Sequence, residues 1–241
     1  MEYMASHFTA HSELNLSKKE RPARPRRDPY DGLRPWSAYT HGLGAVLALL
    51  GTVALLIRSA GNPLHFWSFA IYGISMTCLY TASTLYHCIN TSIRGRLALR
   101  KYDHCSIYLL IAGSYTPVCL IALHSPLGEI LCGSVWAVAV AGLVLTLVWI
   151  DSPRWLTSGV YLFMGWMALA AIKAIAQALP GHGLVALVLG GVLYSVGGVL
   201  YAVKWPGRNN PRFGCHEIFH LFILLGSACH YWMMYEVIAV M

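Results

Sequence analysis

The stretch LGEILCGSVWAVAVAGLVLTLVWI, residues 127–150, carries a single charged side chain, Glu129, in 24 positions. A helix rises about 1.5 Å per residue, and the hydrocarbon core of a bilayer is about 30 Å thick, so a run of this length and polarity crosses a membrane as one helix. Leu, Val, Ala and Ile follow one another in blocks, without the alternation of lipid-facing and lumen-facing positions that a transmembrane β-barrel requires.

Six further runs have the same character, at 37–57, 64–89, 103–123, 155–179, 183–203 and 213–240. With 57% hydrophobic and 11% charged residues, the chain falls outside the range of soluble globular proteins. The reading is an all-α integral membrane protein, a bundle of seven transmembrane helices over residues 37–241. Residues 1–36 differ in kind. Lys18, Lys19, Arg21, Arg24, Arg26 and Arg27 are interleaved with Pro22, Pro25 and Pro29, a composition that cannot bury a core and is expected to be a disordered basic tail. No apolar segment follows a charged start, so no cleavable signal is expected and the first helix directs insertion.

A net charge of +7 raises nucleic acid as a partner, but the distribution of charge argues for topology instead. Of 17 Lys and Arg, seven precede the first helix. Eight more lie in the loops after the second, fourth and sixth helices: Arg94, Arg96, Arg100, Lys101, Arg154, Lys204, Arg208 and Arg212. Only Arg58 and Lys173 fall elsewhere. Such a bias predicts a cytoplasmic N-terminus and, after seven crossings, a C-terminus outside, in the cell membrane. No nucleic-acid partner is expected. The seven cysteines are scattered through apolar runs without a CxxC pair, which predicts buried packing rather than a disulfide framework.

With this orientation, His87 near the end of the second helix, Asp103 at the start of the third, and His216 and His220 at the start of the seventh share one depth, one or two turns beneath the cytoplasmic surface. Ser83 lies one turn from His87 on the same face. Ionisable side chains at membrane depth face a cavity or a partner, and histidine with carboxylate suits Zn²⁺ or a similar divalent ion. The pattern HEIFH, residues 216–220, leaves two readings open. In one, Glu217 is the general base of a zincin-type protease. In the other, His87, His216 and His220 form a three-histidine site with an open fourth position, and Asp103 or Ser83 handles the water.

The segments STLYH (83–87), LRKYDHCSIYLLIAGSYTP (99–117) and CHEIFHLF (215–222) resemble the marker stretches of the haemolysin III family, bacterial relatives of the progestin and adipoQ receptors (PAQR family). The resemblance runs from about Pro35 to the C-terminus. It implies a seven-helix bundle with a cytoplasmic N-terminus and a zinc ion near the cytoplasmic face. His87, His216 and His220 are then the zinc ligands, Asp103 the group that orients the reacting water, and Ser83 a positioning or oxyanion partner. Glu217 has no ligand role in this family pattern. The chain departs from the pattern ahead of the first-helix histidine, where Leu33, Arg34 and Ser37 replace the usual acidic residues and Asn, and His41 is left outside the ligand set. His104 is expected to point away from Asp103.

Three function classes follow. A zinc-dependent hydrolase of lipid esters or amides fits an open metal site in a leaflet, and the wider superfamily that the receptors resemble includes ceramide-type amidases. A receptor-like sensor of membrane lipids would use zinc as a structural staple. Haemolysis, from which the family is named, has little support in the sequence. The reading adopted is a zinc-binding protein of membrane lipid and energetic homeostasis, with hydrolase chemistry and membrane lipids as partners.

Overall fold

The computed structural model describes residues 32–207, 210 and 213–241. The expected basic tail lies, as far as residue 31, outside the described residues. Helix α1 spans Pro35–Arg58, α2 Pro63–Cys88 and α3 Ile93–Pro117. At Pro117 the third helix widens into a π-helical segment, Val118–Leu123. Helix α4 is Pro126–Val148. Next come α5, Arg154–Trp166, a 3₁₀ turn at Met167–Ala171 and α6, Ile172–Ala178, which together make one crossing. Helix α7 covers Gly181–Val203, and α8, Cys215–Glu236, ends in a 3₁₀ turn at Ile238–Val240.

Local chemistry sets several of these starts. Proline occupies the first turn of α1, α2 and α4, where its missing N–H costs nothing. Asn62 Oδ1 accepts from the amides of Leu64 and His65 at 3.0 and 3.3 Å, and the Ser92 and Ser125 hydroxyls cap α3 and α4. The Ser92 cap starts α3 ten residues ahead of the apolar run, so Asp103 sits in its third turn and not at its start.

Six segments are long and apolar enough to cross a membrane: α1, α3 with its π extension, α4, the α5–α6 pair, α7, and α8 with its terminal turn. The seventh, α2, is 26 residues long but more polar. Its Ser68, Tyr72, Ser75, Tyr80 and Ser83 are buried, because α1 and α3 pack along its two sides. Connections of a few residues make sequence neighbours antiparallel, and α8 returns against α1 to close the ring. One end of the bundle therefore collects the start of α1, the end of α2 and the starts of α3 and α8. No strand occurs among the described residues.

Candidate metal centre

His87 lies in the last turn of α2, and His216 and His220 lie on one face of the first two turns of α8. One ligand nitrogen from each lies within 4.8 Å of the other two. The Nε2 atoms of His87 and His216 are 3.1 Å apart. Two nitrogens that share a tetrahedral Zn²⁺ at about 2.0–2.1 Å are separated by about 3.3 Å, so this spacing suits a common ion.

The surroundings of the three rings favour the same use. His87 Nδ1 is 2.6 Å from the Gly32 carbonyl oxygen, so Nδ1 carries the proton and Nε2 presents a bare lone pair to the centre of the group. This backbone contact fixes tautomer and ring direction as a metal ligand requires. His220 is buried and brings a ring nitrogen within 4.8 Å of the other two, so a cation between them gives these nitrogens a common partner. The residues present thus fit a metal ion.

Segment 32–34 closes this end of the bundle over His87. The Arg34 amide donates to the His87 carbonyl at 3.0 Å. Gly32 has no room for a side chain, since a Cβ there would come within 2.4 Å of the Tyr86 ring and hydroxyl. Arg96, fully buried, donates through Nη1 to the carbonyls of Tyr86 and Ile89 and lays its guanidinium over the Tyr86 ring. A cation at the end of α2 satisfies carbonyls that have no partner within the helix.

Asp103 and Ser83 line one cavity of about 250 Å³ together with His216, His220 and His41. Among the described residues the converging ligand group is the three histidines, and Asp103 stands outside it. From this end the cavity continues between α3, α5, α7 and α8 along Leu110, Ile111, Val118, Ile175 and Met233. Beyond the histidines its lining is mostly apolar, with Ser114, Tyr194, Ser195 and His230 among it.

Glu217 faces away from this arrangement. Its carboxylate is buried and accepts from Arg34 Nη1 at 3.1 Å and Ser37 Oγ at 3.2 Å on Oε1, and from the Gly214 amide at 2.8 Å on Oε2. The contacts from Arg34 and Ser37 tie the start of α8 to the start of α1, through two of the three residues at which the sequence departs from the family pattern, while the Gly214 amide caps α8 itself. The carboxylate is engaged as a structural clasp, which disfavours the protease reading of HEIFH.

Two further histidines, His41 and His104, line the site. His41 is buried and stacks on His220 with ring centroids 3.6 Å apart and planes at 12°, so it belongs to the wall of the site. His104, expected to point away, keeps Nδ1 3.6 Å from Asp103 Oδ2 and lines the same cavity. In sequence, neither residue carries a signal beyond its depth, because the partner of His41 lies on the last helix.

Residues 35–231 match the family model described as haemolysin-III related. A protein of Bacillus subtilis named Hemolysin-3 homolog is 40% identical over 194 residues, which cover 80% of this chain and 88% of the relative. Hemolysin-3 of Bacillus cereus is 38% identical over 194 residues, 80% of this chain and 85% of its own. Heptahelical transmembrane protein 4 of Arabidopsis thaliana is 28% identical over 216 residues, 80% of this chain and 56% of the plant protein.

Proposed function

The chain belongs to the haemolysin III family of multi-pass membrane proteins, and on that footing we propose that it is a zinc-dependent hydrolase that cleaves an ester or amide of a membrane lipid and so adjusts the membrane that holds it. The observation that carries this reading is that two of the three converging imidazoles, His216 and His220, share the wall of one largely apolar cavity with Asp103 and Ser83. In this reading the N-terminus is cytoplasmic and the site lies in the inner leaflet of the cell membrane.

His87, His216 and His220 would hold the ion. Zinc with three histidine ligands leaves one coordination position free, polarises a carbonyl oxygen and lowers the pKa of water to about 7. The other steps belong to the chain's own side chains. The Asp103 carboxylate accepts the proton of the attacking water and returns it to the leaving amine or alcohol as the acyl C–N or C–O bond breaks. The Ser83 hydroxyl donates to the oxygen on which negative charge develops. The apolar walls keep bulk water from the acyl chain and strengthen these contacts. Gly32 holds the His87 ring in its working tautomer.

Purified protein in lipid bilayers, loaded with zinc, should release free fatty acid from an acyl amide or acyl ester, and a chelator should stop it. Asp103→Asn should lower the rate by 10²-fold or more while the zinc stays bound. A protein that retains zinc but releases no acid, with the same lipid profile in cells carrying wild type or Asp103→Asn, would overturn the hydrolase. It would favour the second reading, a lipid sensor in which zinc staples α2 to α8. The haemolysin name of the Bacillus cereus relative describes that protein, and lysis of erythrocytes by purified protein without hydrolysis would favour cytolysis instead.

A further inference from the structure

The polar end of the cavity carries positive charge that the hydrolytic steps do not use. Arg100 and Arg154 both line it. Arg100 lies three residues before Asp103 on α3, hence on the same side of that helix. Its Nη1 donates to Asp151 at 2.8 Å and its Nη2 to the Ile150 carbonyl at 3.0 Å. These two bonds lock the guanidinium in place, with its side chain only 11% exposed. Its Nε–H is buried and has no acceptor. Arg154 opens α5 and lies 5.1 Å above the Tyr201 ring, and that ring is 5.5 Å from the ring of His216. Arg154 is therefore one aromatic ring away from a metal ligand. No carboxylate or carbonyl pairs with its guanidinium among the described residues. Asp103 is the one carboxylate among the described residues that line the cavity.

We propose that Arg100 and Arg154 form a subsite for an anionic headgroup, so that the lipid taken by the cavity is an acyl amphiphile carrying a phosphate or carboxylate near the bond to be cleaved. This inference rests on the hydrolase reading for the word substrate but not for the binding itself. Guanidinium donors match the paired oxygens of both anions, and a buried Nε–H without an acceptor gains a partner when such an oxygen arrives. Asp151, at the surface, pairs with Arg100, so the cavity guanidinium without a carboxylate partner among the described residues is that of Arg154. The acyl chain then lies along the apolar walls beyond the histidines.

Three probes that cannot be hydrolysed separate this proposal from the chemistry: the hexadecyl ether of glycerol phosphate, palmitate, and the neutral hexadecyl ether of glycerol. Zinc-loaded protein in bilayers should bind one or both anionic probes at least about tenfold more tightly than the neutral one, and the phosphate and carboxylate arms identify which anion fits. Arg154→Gln should remove most of that preference and leave affinity for the neutral ether within about twofold. Arg154→Lys should restore part of it, and both variants should keep their zinc. Equal affinity of wild type for all three probes, or an undiminished anion preference in Arg154→Gln, overturns the subsite. Failure of the hydrolase appears separately, as intact acyl substrates beside normal probe binding.

Discussion

Replacing Glu217 with glutamine removes the charge that Arg34 and Ser37 share at Oε1 while leaving an acceptor for the Gly214 amide. A buried charged hydrogen bond of this kind is worth about 1.5–3 kcal/mol. Glu217→Gln should therefore lower thermal stability measurably yet retain zinc and most of the hydrolysis. Abolished hydrolysis in a stable, zinc-loaded Glu217→Gln protein would restore the protease reading. His87→Ala should behave in the opposite way, losing most of the roughly one zinc per chain in metal analysis, since the Nε2 lone pair that Gly32 orients is gone. The spacing of His216 and His220 was legible because helical geometry is local. The partners of Glu217 were not, because Arg34 lies 183 residues away in sequence. The stacking of His41 on His220 was hidden for the same reason, and an isolated histidine near a helix start looks alike whether it packs against a site or against headgroups.

Helices α7 and α8 meet closely through two glycines. A Cβ at Gly190 would come within 2.5 Å of the His230 ring, and one at Gly197 within 2.7 Å of Phe222 Cβ, whereas Gly191 faces open space. Small residues of this kind let helices pack in a membrane. Gly190→Val or Gly197→Val should cost about 1–3 kcal/mol by overpacking, read as a lowered melting temperature in detergent, while Gly191→Ala should change it little. Equal effects at Gly190 and Gly191 would refute the contact. In the run GGVLYSVGG at 190–198 the four glycines look alike in sequence, because which of them faces α8 depends on how the helix is rotated in the bundle. The early start of α3 was obscured by Arg94, Arg96, Arg100 and Lys101, which interrupt the apolar pattern. Arg96 and Arg100 are nonetheless largely buried, because each guanidinium finds backbone carbonyls at the end of a neighbouring helix. The π segment after Pro117 has no composition signal, since its residues VCLIAL suit an ordinary apolar helix equally well.

At the scale of the whole chain, continuous apolar runs made the helical membrane class readable. The more polar α2 could still be recognised by its length, because its serines and tyrosines turn towards neighbours instead of lipid. The basic loops predict a cytoplasmic N-terminus. A reporter fused after Met241 should be active only outside the cytoplasm, and one inserted at 94–101 only inside. The reverse pattern would move the metal centre to the outer leaflet. The contact between Gly32 and His87 also bears on where the useful N-terminal boundary of the protein lies. The first described helix and the family match both begin at Pro35, so a shortened chain starting there would keep α1 to α8 and all three histidines. It would nonetheless lack the carbonyl that pins the His87 ring and the arginine that clasps Glu217. Such a chain should fold and bind its ion at first, then surrender it to a competing chelator with a half-life several times shorter than that of a chain starting at or before residue 32. Residues 32–34 would then govern how long a bound metal stays.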